Sequence, residues 1–244
     1  MNIRYWWIII TFLLIQFSFL PGFFILRNFN IDPNQIFGMW NVIAFSIGFI
    51  VMLLLLRKDM QERHSVSNRS SRGDAIIWSL IGIFMAFGSQ YAAAFIQMTI
   101  FGFEPGSENT EMIVEYAKAF PLFIIVVAVL GPIIEEIVFR LVIFGSLYKR
   151  FNFWIAGLLS SLIFAALHND FENLLVYTAM GLTFAFLYVK TKRIIVPIIA
   201  HVAINLFVAL VNVVFAEQIN DMLEEIEQQQ EVQQQVLQFI GGLL

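Results

Sequence analysis

The chain has 244 residues, of which 59% are hydrophobic and only 13% charged, against roughly 45–50% and 25% in soluble domains; the composition is that of a polytopic membrane protein. A formal net charge of −4 argues against a nucleic-acid partner. The absence of cysteine excludes thiol nucleophiles, disulfides and thiolate-held metals.

A membrane helix needs roughly 20 apolar residues. In chain order the candidate runs are 5–26, 36–56, 75–101, 121–148, 153–167, 173–189 and 194–215. The first exceeds a signal-peptide core and has no small-x-small cleavage site before Pro21-Gly22, so it is read as a retained anchor. The fifth and sixth are short and need protein neighbours or a thinned bilayer. An eighth element is expected at 111–120, lying along the interface. The predicted fold is therefore all-α: a polytopic bundle of seven to eight transmembrane helices around an intramembrane polar cavity.

Lys and Arg in the loops set the expected orientation. Arg57, Lys58, Arg63, Arg69 and Arg72 share one loop, Lys149-Arg150 a second, and Lys190, Lys192 and Arg193 a third. If all seven runs span, these three loops face one side, and the N-terminus is cytoplasmic. The alternate loop at 102–119 carries Glu104, Glu108, Glu111 and Glu115 against Lys118. From Glu217 the chain turns acidic and Gln-rich, with Ile219, Met222, Leu223, Ile226, Val236 and Ile240 at roughly helical spacing. The expected organisation is a membrane domain at 1–216, with its catalytic core at 120–210, and an amphipathic, interfacial or self-associating tail at 217–244.

Inside the runs almost nothing ionises. The exceptions are Glu135, Glu136, Arg140 and His201, with His168 at the end of the fifth run. Each charge at a helix centre costs about 2.5–3.5 kcal/mol, and such residues mark function by default. Glu136 and Arg140 stand i,i+4 and share a face on which they can pair; a structural ion pair is the preferred reading for these two. Glu135 is turned about 100° from Glu136. It is the carboxylate that Arg140 neutralises less, and so the one available for proton transfer as a general base.

The fifth run ends SSLIFAALHND, in which Phe164 and His168 are i,i+4, and the seventh contains PIIAHVAIN, in which His201 and Asn205 are i,i+4. A histidine at a helix end is usually interfacial, and a His/Asn pair is often interhelical glue. Pro197, one turn before His201, bends that helix or marks its first turn. Depth joins the residues. Counted from the basic loops at about 1.5 Å per residue, the two glutamates lie roughly 20 Å in, His168 roughly 22 Å, and His201 and Asn205 roughly 12 and 18 Å. Three helices thus place polar groups in one slab, which predicts a single cavity.

A carboxylate, two imidazoles and a carboxamide suit amide hydrolysis: Glu135 deprotonates a water that His168 helps to hold, while His201 and Asn205 donate to the oxyanion. Equally, Glu135, His168 and His201 form a His₂Glu zinc set, and spacing does not choose between the two. HExxH is absent, Ser160 and Ser161 have the character of packing residues rather than of a GxSxG nucleophile, and no aspartate lies inside a run. Glu115, Asp170 and Glu172 are expected at the outer rim as solvated charges, and His64 on the surface.

EExxxR (Glu135, Glu136, Arg140), FxxxH (Phe164, His168) and HxxxN (His201, Asn205), in that order on successive runs, resemble the CPBP family, the CAAX-type prenyl endopeptidases and bacteriocin-processing enzymes also called the Abi group. All three motifs are complete and lie within 131–205, about a third of the chain. The resemblance implies an integral-membrane endopeptidase of helical core with its site in a conical cavity. It also implies that Glu135 and His168 activate water, that His201 and Asn205 form the oxyanion site, and that Glu136, Arg140 and Phe164 support them. Metal-dependent and glutamate-dependent mechanisms both stay open, with zinc the candidate ion. A peptide or protein substrate, membrane-associated or not, and the lipid bilayer are the implied partners.

Two other classes are weighed against this reading. A catalytically silent scaffold, chaperone or immunity protein would use the tail at 217–244 for docking. A transporter of this size would show inverted repeats with paired broken helices, and none is seen.

Overall fold

The structure, a computed structural model, describes residues 1–62, 67–103 and 108–215, and of the C-terminal segment only residues 218, 221, 222, 226 and 229. His64, Glu104 and nearly all of the tail at 217–244 lie outside the described residues. All regular structure among the described residues is helical, as a bilayer requires of a chain that must satisfy its backbone internally.

The first run is not one rod. Helix α1 (Ile3–Phe17) and helix α2 (Phe19–Arg27) meet at Ser18 with a bend of 47°. Pro21 has no N–H to give the Phe17 carbonyl, so the helical ladder breaks at this point. Trp40 closes the bend: its Nε1–H donates to Ser18 Oγ at 2.9 Å, and its indole lies where a side chain on Gly22 would stand.

Helix α3 (Pro33–Leu55) starts on an Asp32 cap with Pro33 in its first turn. A short helix α4 (Arg57–Glu62) follows, in which Asp59 accepts from Arg4 at 2.7 Å and Tyr5 at 2.8 Å. Helix α5 (Arg72–Ile96), started by a Ser71/Asp74 capping box, continues as a π turn over Gln97–Phe101. Helix α6 (Glu108–Ala119) covers the eighth expected element. Tyr116 stacks on Phe37 at 4.0 Å and Ala117 is buried, so α6 packs on the protein.

From Phe123 to Leu147 the chain runs helically with alternating pitch. The α-helical turns are α7 (Phe123–Ile125), α8 (Gly131–Glu136) and α9 (Gly145–Leu147), and π-helical stretches fill Val126–Leu130 and Ile137–Phe144. Helices α10 (Phe153–Ala166), α11 (Leu174–Thr191) and α12 (Ile195–Val214) complete the described bundle. Pro197 falls in the first turn of α12, where its missing N–H costs nothing.

Among the described residues four helical segments are long and apolar enough to cross a bilayer, Pro33–Leu55, Arg72–Phe101, Leu174–Thr191 and Ile195–Val213, and the bent α1–α2 pair makes a fifth. The seven expected runs are all helical, but the fourth is interrupted by its π stretches and the fifth is only 14 residues long. At 1.5 Å per residue α10 covers about 21 Å, short of a ~30 Å hydrocarbon core. Its C-terminal corner, which carries His168, therefore ends short of the far side of such a core.

Packing follows membrane rules. Ala75, Ser79, Gly82, Ala86 and Ala93 make a small-residue stripe on α5, and α5 lies against α11 and α12, with Gly82 facing Leu187 and Ala200. A second core joins α1, α3, α10 and the glutamate helix through Phe12, Phe45, Ile134, Phe139 and Phe164. Large apolar side chains such as Phe84 (77%) and Phe17 (74%) stay exposed, the surface that lipid covers.

Candidate active site

The site forms where α8, α10 and α12 face one another. Glu135 and Glu136 are consecutive, so their side chains leave the helix about 100° apart, yet both reach the ring of His201. Glu136 Oε1 lies 3.0 Å from His201 Nδ1, and Glu135 Oε2 lies 3.6 Å from Nε2. The two nitrogens stand on different edges of the imidazole, which is how neighbouring residues can address one ring. A carboxylate can only accept, so Nδ1 carries a hydrogen and Nε2 is the nitrogen turned toward Glu135.

The second oxygen of Glu136 serves another partner. Oε2 lies 3.3 Å from Arg140 Nε, and both side chains are fully buried. The angle falls outside hydrogen-bond geometry, and no hydrogen bond to the guanidinium is found among the described residues. Aromatic faces surround it instead: the guanidinium carbon stands 4.5 Å from the centre of the Phe164 ring, 5.4 Å from Phe184 and 5.9 Å from Phe139. Such contacts contribute roughly 2 kcal/mol or more when desolvated. Arg140, Glu136 and His201 thus form a buried chain, with Phe184 stacked on the imidazole at 4.6 Å. Glu135 stands at its more open end, with 19% of its side chain exposed against 0% for Glu136 and 3% for His201.

His168 occupies the turn after α10. Its Nδ1 lies 2.8 Å from the Phe164 carbonyl, which can only accept, so that nitrogen also carries hydrogen. Tyr177 of α11 stacks on the His168 ring at 4.1 Å, and Phe164 meets it edge-on at 4.5 Å. The corner is closed by Asn109 of α6, whose amide donates to the His168 carbonyl at 2.8 Å, and by Asn169 in the left-handed region at φ 53°. Phe164 is the common wall, in contact with Arg140, His168 and, at 5.9 Å, His201.

Asn205, one turn after His201, donates through Nδ2 to the Val127 carbonyl at 3.2 Å. Every residue named from the three motifs is therefore in this region, and Glu136 has one partner more than the helical spacing showed.

Glu135, His168 and His201 were the candidate zinc ligands. Among the described residues no three His, Asp or Glu side chains are placed to hold one metal ion. As placed, these side chains do not fit a His₂Glu ion site. Ser160 and Ser161 are fully buried, as packing residues are, with Ser160 Oγ donating to the Gly157 carbonyl. Asp170 is not simply solvated at the rim: it accepts from the Asn173 amide at 3.1 Å.

Tyr177, Phe184, Asn109 and Val127 were not found from the sequence. Tyr177 and Phe184 sit in an apolar run where aromatics are ordinary core residues, and the Gly131-Pro132 pair ahead of the glutamates is the signal from which an unserved carbonyl nearby could have been read.

Residues 117–207 match a family model described as type II CAAX prenyl endopeptidase Rce1-like, a stretch that contains every site residue above except Asn109. Over 251 aligned positions the chain is 43% identical to the Bacillus subtilis (strain 168) protein named "Putative membrane peptidase YdiL", covering 100% of this chain and 99% of that one. It is 39% identical over 156 residues to "Membrane-embedded CAAX protease MroQ" of Staphylococcus aureus (strain USA300), covering 62% and 63% of the two chains. A third relative, "UPF0177 protein YxdF" of Lactococcus lactis, is 35% identical over 83 residues, 34% of this chain and 45% of its own. No solved structure matches. With near full-length similarity to a membrane peptidase and the family model lying across the paired glutamates and both histidines, the chain belongs to the Rce1-like CAAX endopeptidase family of membrane peptidases.

Proposed function

We propose that this protein is an intramembrane endopeptidase in which Glu135 takes the proton from the attacking water. The observation that carries the reading is the His201 ring held between Glu135 and Glu136 on a separate helix, which gives the two carboxylates different work. Glu136, buried between Arg140 and His201, positions the imidazole and fixes which nitrogen bears hydrogen. Glu135, the more exposed, remains for chemistry.

In this mechanism water lies between Glu135 and the scissile carbonyl, with His168 helping to hold it. Glu135 accepts one proton as the water oxygen bonds to the carbonyl carbon. With its Nδ1–H held by Glu136, His201 donates to the developing oxyanion only in the form in which Nε2 also carries hydrogen; in that form Nε2–H and the second amide hydrogen of Asn205 face the oxygen on which negative charge develops. The proton then passes from Glu135 to the departing amine as the C–N bond breaks, so the carboxylate is regenerated. A positioned base contributes about 10²–10⁴-fold, and one oxyanion donor about 10²–10³-fold.

The basic loops argue for a cytoplasmic N-terminus. The chain divides into a membrane domain at 1–216 and a tail at 217–244.

The test is cleavage of a fluorogenic CaaX-type peptide, prenylated and bare, by the detergent-purified protein beside Glu135→Gln, His168→Ala and His201→Ala. Each variant is expected to lose at least 10²-fold in kcat, while Glu135→Gln keeps the wild-type thermal midpoint. Wild-type rates in all three would end the assignment.

A further inference from the structure

The catalytic helix carries a carbonyl that its own backbone cannot serve. In the π stretch Val126–Leu130 bonds run from residue i+5, and the Gly131 N–H accordingly reaches the Val126 carbonyl. The next bond in that register would run from residue 132 to Val127, but residue 132 is proline and has no N–H. The α-helical alternative, Gly131, is already committed to Val126. Val127 is thus deprived of both donors that helix geometry offers. An unpaired carbonyl inside a bilayer protein is costly, and a neighbouring helix must supply the hydrogen. Asn205 Nδ2 does so at 3.2 Å.

The pitch change is built in locally. A methyl group on Gly131 would stand 3.0 Å from the Val126 carbonyl oxygen, closer than side chains normally approach, so glycine suits the tight point and proline ends the register one residue later. Glu135 and Glu136 follow in the same short helix. The bond from Asn205 therefore ties α12, one turn beyond His201, to the turn that leads into both glutamates.

We propose that Pro132 is a positioning residue: by withholding a hydrogen from Val127 it keeps that carbonyl open as a docking point for Asn205, and so sets the His201–Asn205 helix in register against the glutamates. The docked amide hydrogen orients the carboxamide and with it the second hydrogen. The catalytic consequence rests on the role given to Asn205 above; the bond itself does not.

The experiment is a double-mutant cycle on the full chain in detergent, using Pro132→Ala, Asn205→Ala and the pair. Asn205→Ala alone leaves Val127 unserved and lowers the thermal midpoint by about 3–8 °C. In the Pro132→Ala background the new backbone N–H serves Val127, and the same Asn205 substitution costs less than half as much. Asn205→Leu, which keeps the volume, repeats the comparison if alanine does not fold. Pro132→Ala by itself, assayed well below its midpoint, lowers kcat about tenfold at unchanged KM, since the N–H it introduces competes for the carbonyl that orients Asn205. Equal cost of the Asn205 substitution in both backgrounds overturns the proposal, as does wild-type kcat in Pro132→Ala. If the wild type cleaves no peptide, the stability cycle alone decides the register bond.

Discussion

Replacing Arg140 by alanine removes the cation that sits 3.3 Å from Glu136 in a region from which both side chains exclude solvent completely. Breaking a buried pair on one side costs about 3–5 kcal/mol, because the remaining charge stays uncompensated. His201 still approaches Glu136 at 3.0 Å, which sets the expectation at the lower end, about 3 kcal/mol. For a chain of this size that corresponds to a fall in thermal midpoint of about 6–12 °C. Intrinsic fluorescence of the five tryptophans in detergent reads the transition. Glu136→Gln alone should cost a similar amount by stranding the guanidinium among Phe139, Phe164 and Phe184. The pair Glu136→Gln/Arg140→Met should return to within about 3 °C of wild type, since a neutral, well-packed replacement removes both the charges and their desolvation. The carboxamide oxygen that replaces the Glu136 carboxylate can still accept from His201 Nδ1. A shift below about 2 °C for Arg140→Ala, or strict additivity in the double variant, would refute the claim that these charges compensate one another.

Tyr177 stacks on His168, and its ring rather than its hydroxyl makes that contact; Tyr177→Ala is expected to lower kcat about tenfold and Tyr177→Phe to restore it, and equal losses in both would disprove the stacking role. At the α1–α2 bend, a methyl on Gly22 must displace the Trp40 indole and with it the Trp40–Ser18 hydrogen bond. Overpacking of this kind costs about 1–3 kcal/mol, so Gly22→Ala should show a lower midpoint and altered tryptophan emission, and an unchanged midpoint would count against the packing described for the bend.

Composition and apolar run length were enough to determine that this chain is a helical membrane protein, since a bilayer leaves few other solutions for long stretches without charge. Helical periodicity likewise showed within single helices that Glu136 can meet Arg140 and that Phe164 can meet His168, because i,i+4 neighbours share a face whatever surrounds them. Contacts between helices obey no such local rule. That Glu136 divides its two oxygens between Arg140 and His201, that Glu135 faces the far edge of the same imidazole, and that Tyr177 covers His168 were decided by how α8, α10, α11 and α12 pack. The 47° bend at Ser18 and the π turns of the glutamate helix sit between these cases. Pro21 and Pro132 were visible as residues lacking an N–H. Which carbonyl each would strand, and that Asn205 from 78 residues away would serve one of them, depended on pitch and on the neighbouring helix. Sequence reports which backbone bonds a residue cannot make; the tertiary structure decides what takes their place.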